Sequence, residues 1–106
     1  MIFCNDEEVT MPRYIIEREL PGAGRLTADE LRAVARKSNE VLARLGPEIT
    51  WHESHVAADR LYCMYTAPSP ELIREHARQG GFPADRISEI VTVISPATAG
   101  EPSLVS

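Results

Sequence analysis

The densest group of side chains able to do chemistry is Trp51-His52-Glu53-Ser54-His55. Imidazole nitrogen and carboxylate oxygen, completed by water, suit borderline divalent ions such as nickel or zinc. The backbone decides which of these groups can share one ion. On a strand, alternate residues share a face, so His52 and His55 point to opposite sides. Glu53 and His55 share a side, about 6.8 Å apart along the strand, and two such side chains could converge on one cation. They are the paired metal-ligand candidates. His76 is the third, on the inner stripe of a helix between Leu72 and Gly80. A histidine there is usually a satisfied core residue. Pointed at the sheet beside Cys63, it would be a partly buried base or ligand. The pattern leaves open which sheet face it reaches.

The other reactive types read more plainly. Trp51 reads as a packing residue, and Cys63 as a small buried hydrophobe rather than a nucleophile. No Cys-His-Asp spacing suggests a triad. Gly80-Gly81-Phe82 follows a helix where a phosphate cradle would precede one. Arg74 and Arg78 stand three or four residues from Glu71 and Glu75, which suits surface ion pairs.

Six elements must position these groups. Arg13 to Arg18 reads as a strand ended by Leu20-Pro21-Gly22. Thr27-Ala28-Asp29-Glu30 is a capping box, and an apolar stripe follows it through Leu31, Val34, Ala35, Ser38, Val41, Leu42 and Leu45. Gly46-Pro47 stops that helix. Ile49 to Ala57 and Arg60 to Ala67 are strands joined by a tight hairpin at Ala58-Asp59. This puts His55 opposite Tyr62, Ser54 opposite Cys63 and Glu53 opposite Met64. One face then carries Trp51, Glu53, His55, Tyr62 and Met64. The other carries His52, Ser54, Val56, Leu61, Cys63 and Tyr65, and is the better surface for helices. Ser69-Pro70-Glu71 opens a second helix, with Leu72, Ile73, His76, Ala77 and Gly80 inside. Arg86 to Ile94 is the fourth strand, ended by Pro96.

The order β-α-β-β-α-β is that of an α+β, ferredoxin-like fold: an antiparallel sheet with two helices on one face. Strand four has apolar residues of both parities, Ile87, Val91 and Val93 against Ile90 and Ile94. Such a strand is normally buried on both sides. With no third layer in the chain, the expectation is a homodimer whose sheets cover each other, as in a dimeric α/β barrel.

Composition sets the remaining bounds. The 106 residues are 43% hydrophobic and 25% charged, as in one globular domain. We divide them into an N-terminal extension at 1–10, a domain at 11–96 and a tail at 97–106. Met11 is a second candidate start. Net charge is −5, with Asp6, Glu7 and Glu8 supplying much of it. No basic field is present to hold a phosphate backbone, so nucleic acid is not expected as a partner. No apolar run approaches the roughly 20 residues of a membrane span, and no signal peptide is seen. The two cysteines, Cys4 and Cys63, form no disulfide framework and no CxxC motif. A cytoplasmic location is expected.

Several stretches together resemble a known family: Met11 to Arg18, Trp51 to Val56, Leu61-Tyr62-Cys63-Met64-Tyr65, Ile73-Arg74-Glu75-His76-Ala77-Arg78 and Gly81 to Arg86. The chain is similar, from about Met11 to Ala99, to small bacterial ferredoxin-like proteins catalogued as a domain of unknown function and often labelled nickel-binding protein. The resemblance implies a dimer that binds nickel near its surface, in nickel sequestration or response. It carries Glu53 and His76 over as functional candidates. His55 stands where the family is associated with an aromatic residue, so the Glu53/His55 pair is particular to this chain. The acidic extension before Met11 also departs from the pattern.

The function expected is nickel binding by Glu53 and His55, with His76 as a third ligand. The alternative is a cofactorless isomerase, oxygenase or hydrolase in the cleft of a dimeric barrel. There His55 or His76 would be the base and Tyr62 or Tyr65 the polarising donor. A closed apolar cleft lined by Trp51, Tyr62 and Met64 would favour that enzyme.

Overall fold

The computed structural model of the protein describes residues 11–99. The extension at 1–10 and most of the tail lie outside the described residues. In chain order the elements are β1 (Arg13–Glu19), a 3-10 turn (Ala23–Arg25), α1 (Ala28–Leu45), β2 (Thr50–Val56), β3 (Arg60–Thr66), α2 (Pro70–Gly80), β4 (Arg86–Glu89) and a second 3-10 turn (Pro96–Ala99). The class is α+β, with one four-stranded antiparallel sheet in the order β2-β3-β1-β4.

The two 3-10 turns depart from the plain six-element order expected. The first forms because Gly22, at φ +80°, turns the chain sharply after Pro21. The β2-β3 hairpin then holds it: Asp59 Oδ1 accepts from Gly22 N–H at 2.8 Å, and Ala58 carbonyl accepts from Gly24 N–H at 2.9 Å. In the second, at the start of the expected tail, Thr98 Oγ1 accepts from Ser95 N–H at 2.8 Å.

The capping box forms as read. Glu30 N–H donates to Thr27 Oγ1 at 3.1 Å, and Thr27 N–H donates to Glu30 Oε1 at 2.8 Å. Two of the four orphan donors at the helix start are thereby satisfied. Pro70 opens α2, and Gly81, at φ +72°, closes it in the left-handed conformation.

Strand four is shorter than expected, ending at Glu89 rather than Ile94. Its neighbour β1 begins at Arg13, behind Pro12, which has no N–H to donate. The last bond along that edge is Ile90 N–H to Arg13 carbonyl, 2.8 Å. Past it, Val91 is 91% exposed, and Val93 and Ile94 are exposed too.

The core lies between the sheet and the helices. Tyr14 and Ile16 of β1, Cys63 and Tyr65 of β3, Ile49, Ala67 and Ile73 of α2 form one buried cluster. Ile15, Tyr62 and Met64, of the other parity, are only partly buried on the open face. Helix α1 buries Ser38 and Val41, whereas Leu31 and Val34 nearer its start remain exposed. That half of the stripe stands over a cavity instead of closing on the sheet.

Candidate functional site

The hairpin register agrees with the reading from sequence: His55 faces Tyr62, Ser54 faces Cys63 and Glu53 faces Met64. Glu53 and His55 therefore share the open face. His55 Nε2 and Glu53 Oε2 are 2.9 Å apart, with both side chains more than half exposed. Neighbouring residues depart from expectation. Trp51 pairs with Tyr65 and Glu53 with Met64, so two steps of β2 match one step of β3. This bulge leaves His52 as the extra residue and exchanges the faces of Trp51 and His52. Trp51 turns to the helix side, where its Nε1–H donates to Ser54 Oγ at 3.0 Å. His52 joins the open side, with Nε2 2.6 Å from Thr66 Oγ1.

His76 is not brought to the pair. Helix α2 carries it on the opposite side of the sheet, at 0% exposure. Its Nε2 is 3.1 Å from Ser38 Oγ of α1, and its Nδ1 has no partner among the described residues. The Tyr65 and Phe82 rings flank it, centroids at 5.3 and 5.6 Å. Burial, aided by the Arg18 charge, lowers its pKa from 6.5 to about 4. His76 is thus a neutral imidazole at pH 7. Among the described residues no group of three or more His, Cys, Asp or Glu is placed to hold a metal ion.

A second chemical feature lies on the helix side and turns on a residue the sequence reading passed over. Arg18 is 3% exposed and has no carboxylate within ion-pair distance among the described residues. Its Nε–H donates to Cys63 Sγ at 3.4 Å, one terminal nitrogen donates to Tyr65 Oη at 3.4 Å, and the other donates to Pro83 carbonyl. The guanidinium also lies 5.9 Å from the Tyr65 ring centroid and 5.7 Å from that of Phe82. Burial raises the Tyr65 phenol pKa, and Arg18 pulls against that rise. A signal was available: Arg18 continues the parity of Tyr14 and Ile16, the buried face of β1.

Arg18 helps to line a cavity of about 370 Å³ between the first half of α1, the sheet and the segment after α2. Its other walls include Leu26, Leu31, Val34, Ser38, Trp51, Cys63, Tyr65 and Phe82. It does not match the cleft anticipated on the open face, because Tyr62 and Met64 are not part of it.

Phe82 closes one side by folding back over the last residue of α2. A Cβ built on Gly80 would lie 2.2 Å from Phe82 Cε2, so any side chain there displaces the ring. Gly80→Ala is expected to destabilise the fold by about 1–2 kcal/mol, overpacking outweighing the helical preference for Ala. Urea midpoints measure this. In a Phe82→Ala background the same change should cost nothing, since the ring it displaces is gone.

A family model described as nickel responsive protein SCO4226-like matches residues 14–90. The chain belongs to this family. A comparison with solved structures finds the crystal structure of SCO4226 from Streptomyces coelicolor A3(2), at a TM-score of 0.65 and 19% identity. The match covers 77% of this chain and 99% of that one, and at this identity it shows a shared fold. No curated protein gives a significant match. Like the family resemblance read from sequence, the match spans the strands that carry Glu53, His55 and Arg18 and the helix that carries His76. No helix among the described residues is long and apolar enough to cross a membrane.

Proposed function

We propose that this SCO4226-like chain binds nickel on the open face of its sheet, through His55 Nε2 and Glu53 Oε2, in nickel sequestration or response. The observation that carries the reading is the pairing of these two groups at 2.9 Å on an exposed face, in a family described as nickel responsive. An imidazole nitrogen and a carboxylate oxygen suit nickel, but two donors do not fill its coordination shell. Water or a second subunit supplies the rest. His76 lies across the sheet and does not join this pair.

The ferredoxin-like and dimeric readings belong to the same proposal. The sheet order β2-β3-β1-β4 with both helices on one face supports a ferredoxin-like subunit. A second copy packed on the open face would cover Ile15, Tyr62 and Met64. The exposed Val91, Val93 and Ile94 are apolar groups that such a partner would bury.

Paramagnetic nickel tests the site residue by residue, since it broadens resonances close to it. In proton–nitrogen spectra of the untagged protein, substoichiometric nickel should broaden the His55 ring and the Glu53 and His55 amides. His76 should stay sharp. Broadening centred on His76, or confined to residues outside 50–56, would refute the placement.

The enzyme alternative meets an obstacle in the same geometry. The apolar cavity has Tyr65 in its wall, but neither His55 nor His76 lines it. On the open face, where that reading places its cleft, His55 and Tyr62 stand opposite each other, whereas His76 and Tyr65 lie across the sheet.

A further inference from the structure

We propose that the cavity between α1 and the sheet binds a small organic monocarboxylate with an apolar body, its carboxylate on Arg18 and its body against Leu26, Leu31, Val34 and Trp51.

A buried guanidinium without an anion costs several kcal/mol unless something compensates it. Among the described residues Arg18 meets only neutral acceptors, a thiol, a phenol and a carbonyl, and two ring faces. Its planar fork matches a carboxylate, and a hydrogen bond to a charged group is worth more than one to a neutral group. The group also sits in the wall of a cavity already open in the chain. At about 370 Å³ the space is at the lower end of the range for small organic ligands, roughly 300–1,000 Å³.

The wall decides between anions. A dianionic phosphate would need several cationic or free donors, whereas this lining holds one cation, and its two serine hydroxyls, Ser38 and Ser54, are engaged by His76 and Trp51. Tyr65 Oη, held 3.4 Å from the guanidinium, is the second donor on the same wall. Trp51 Nε1–H is already taken by Ser54, which leaves its ring as an apolar surface. Leu31 and Val34, exposed over the space, form its rim. One cation at the end of an apolar slot fits a monoanion with a hydrocarbon body. The site lies across the sheet from Glu53 and His55, so it stands or falls independently of nickel binding.

The test uses the single tryptophan as reporter, because Trp51 lines the cavity. The full-length protein is titrated with decanoate and with decanol, both below their aggregation limits. Decanoate is expected to shift Trp51 emission saturably and to bind at least about tenfold tighter than decanol. Arg18→Gln should abolish that preference while leaving decanol unchanged. Should that variant fail to fold, Val34→Phe, at the exposed rim, serves in its place by filling the space and weakening both ligands. Equal binding of the acid and the alcohol, a signal that does not saturate, or decanoate binding unaffected by Val34→Phe would each overturn the proposal.

Discussion

Lowering the pH from 7 to 4 is expected to remove about 3 kcal/mol of stability through His76 alone. In the folded chain its imidazole stays neutral until about pH 4, because it is sealed between the helices and the sheet and lies near the Arg18 charge. In the unfolded chain it protonates near 6.5. Between those values the unfolded state binds the extra proton, so stability is full above pH 6.5 and falls as the pH drops toward 4. The groups facing His76 are Ser38 from α1, Tyr65 from β3, Arg18 from β1 and Phe82 after α2. None of them is a carboxylate that would hold the charged imidazole. Urea unfolding at pH 7, 5.5 and 4 measures the slope for the natural chain and for His76→Gln. The variant should lose most of the slope over this window. An unchanged slope would show that His76 is not the proton acceptor.

The second large effect is at Ile16. This side chain is completely buried at the centre of β1, between Cys63 on β3 and Ile87 on β4. Removing it to Ala forfeits the transfer free energy of its hydrocarbon and leaves a space that neighbours on two strands can fill only in part. The expected cost is about 3–4 kcal/mol, within the usual range for such truncations. A small domain is stable by only about 5–15 kcal/mol, so Ile16→Ala should move the urea midpoint far. Ile15, one residue earlier, faces the open side, and its replacement by Ala serves as the contrast. In an isolated subunit Ile15→Ala should cost about 1 kcal/mol or less. If two copies pair through their open faces, that cost should grow with protein concentration. A concentration-independent Ile15→Ala, with a sedimentation coefficient of one subunit, would count against the dimer.

Much of this fold was legible because local chemistry and tertiary context agree. Thr27 and Glu30 satisfy each other's backbone donors whatever else the chain does, so the start of α1 could be read directly. The hairpin register followed from treating Ala58 and Asp59 as its loop, and that placed Glu53 beside His55. Other features depended on partners far along the chain. The bulge at His52 adds a residue to β2 with no distinctive local pattern, and it exchanged the faces of Trp51 and His52. Strand four looked apolar through Ile94, but a strand needs a neighbour, and β1 ends its pairing at Arg13. The cavity was hidden because Leu31 and Val34 have the spacing of core residues; only the structure shows that part of α1 standing over open space. Arg18 was passed over because a charged residue near a strand end is usually solvated. The parity it shares with Tyr14 and Ile16 was the available clue, and burial on the helix side is its consequence.

The central claim, nickel held by Glu53 and His55, is tested most directly by calorimetric titration of untagged protein. The natural chain and a Glu53→Gln/His55→Ala variant are compared with nickel, with zinc, cobalt and magnesium alongside. An untagged chain is essential, because polyhistidine binds the same ions. Saturable micromolar nickel binding is expected in the natural chain, with its loss in the variant and no comparable heat with magnesium, which prefers all-oxygen shells. Nickel binding that persists undiminished in the variant would contradict the placement, and no saturable nickel binding in the natural chain would contradict the function.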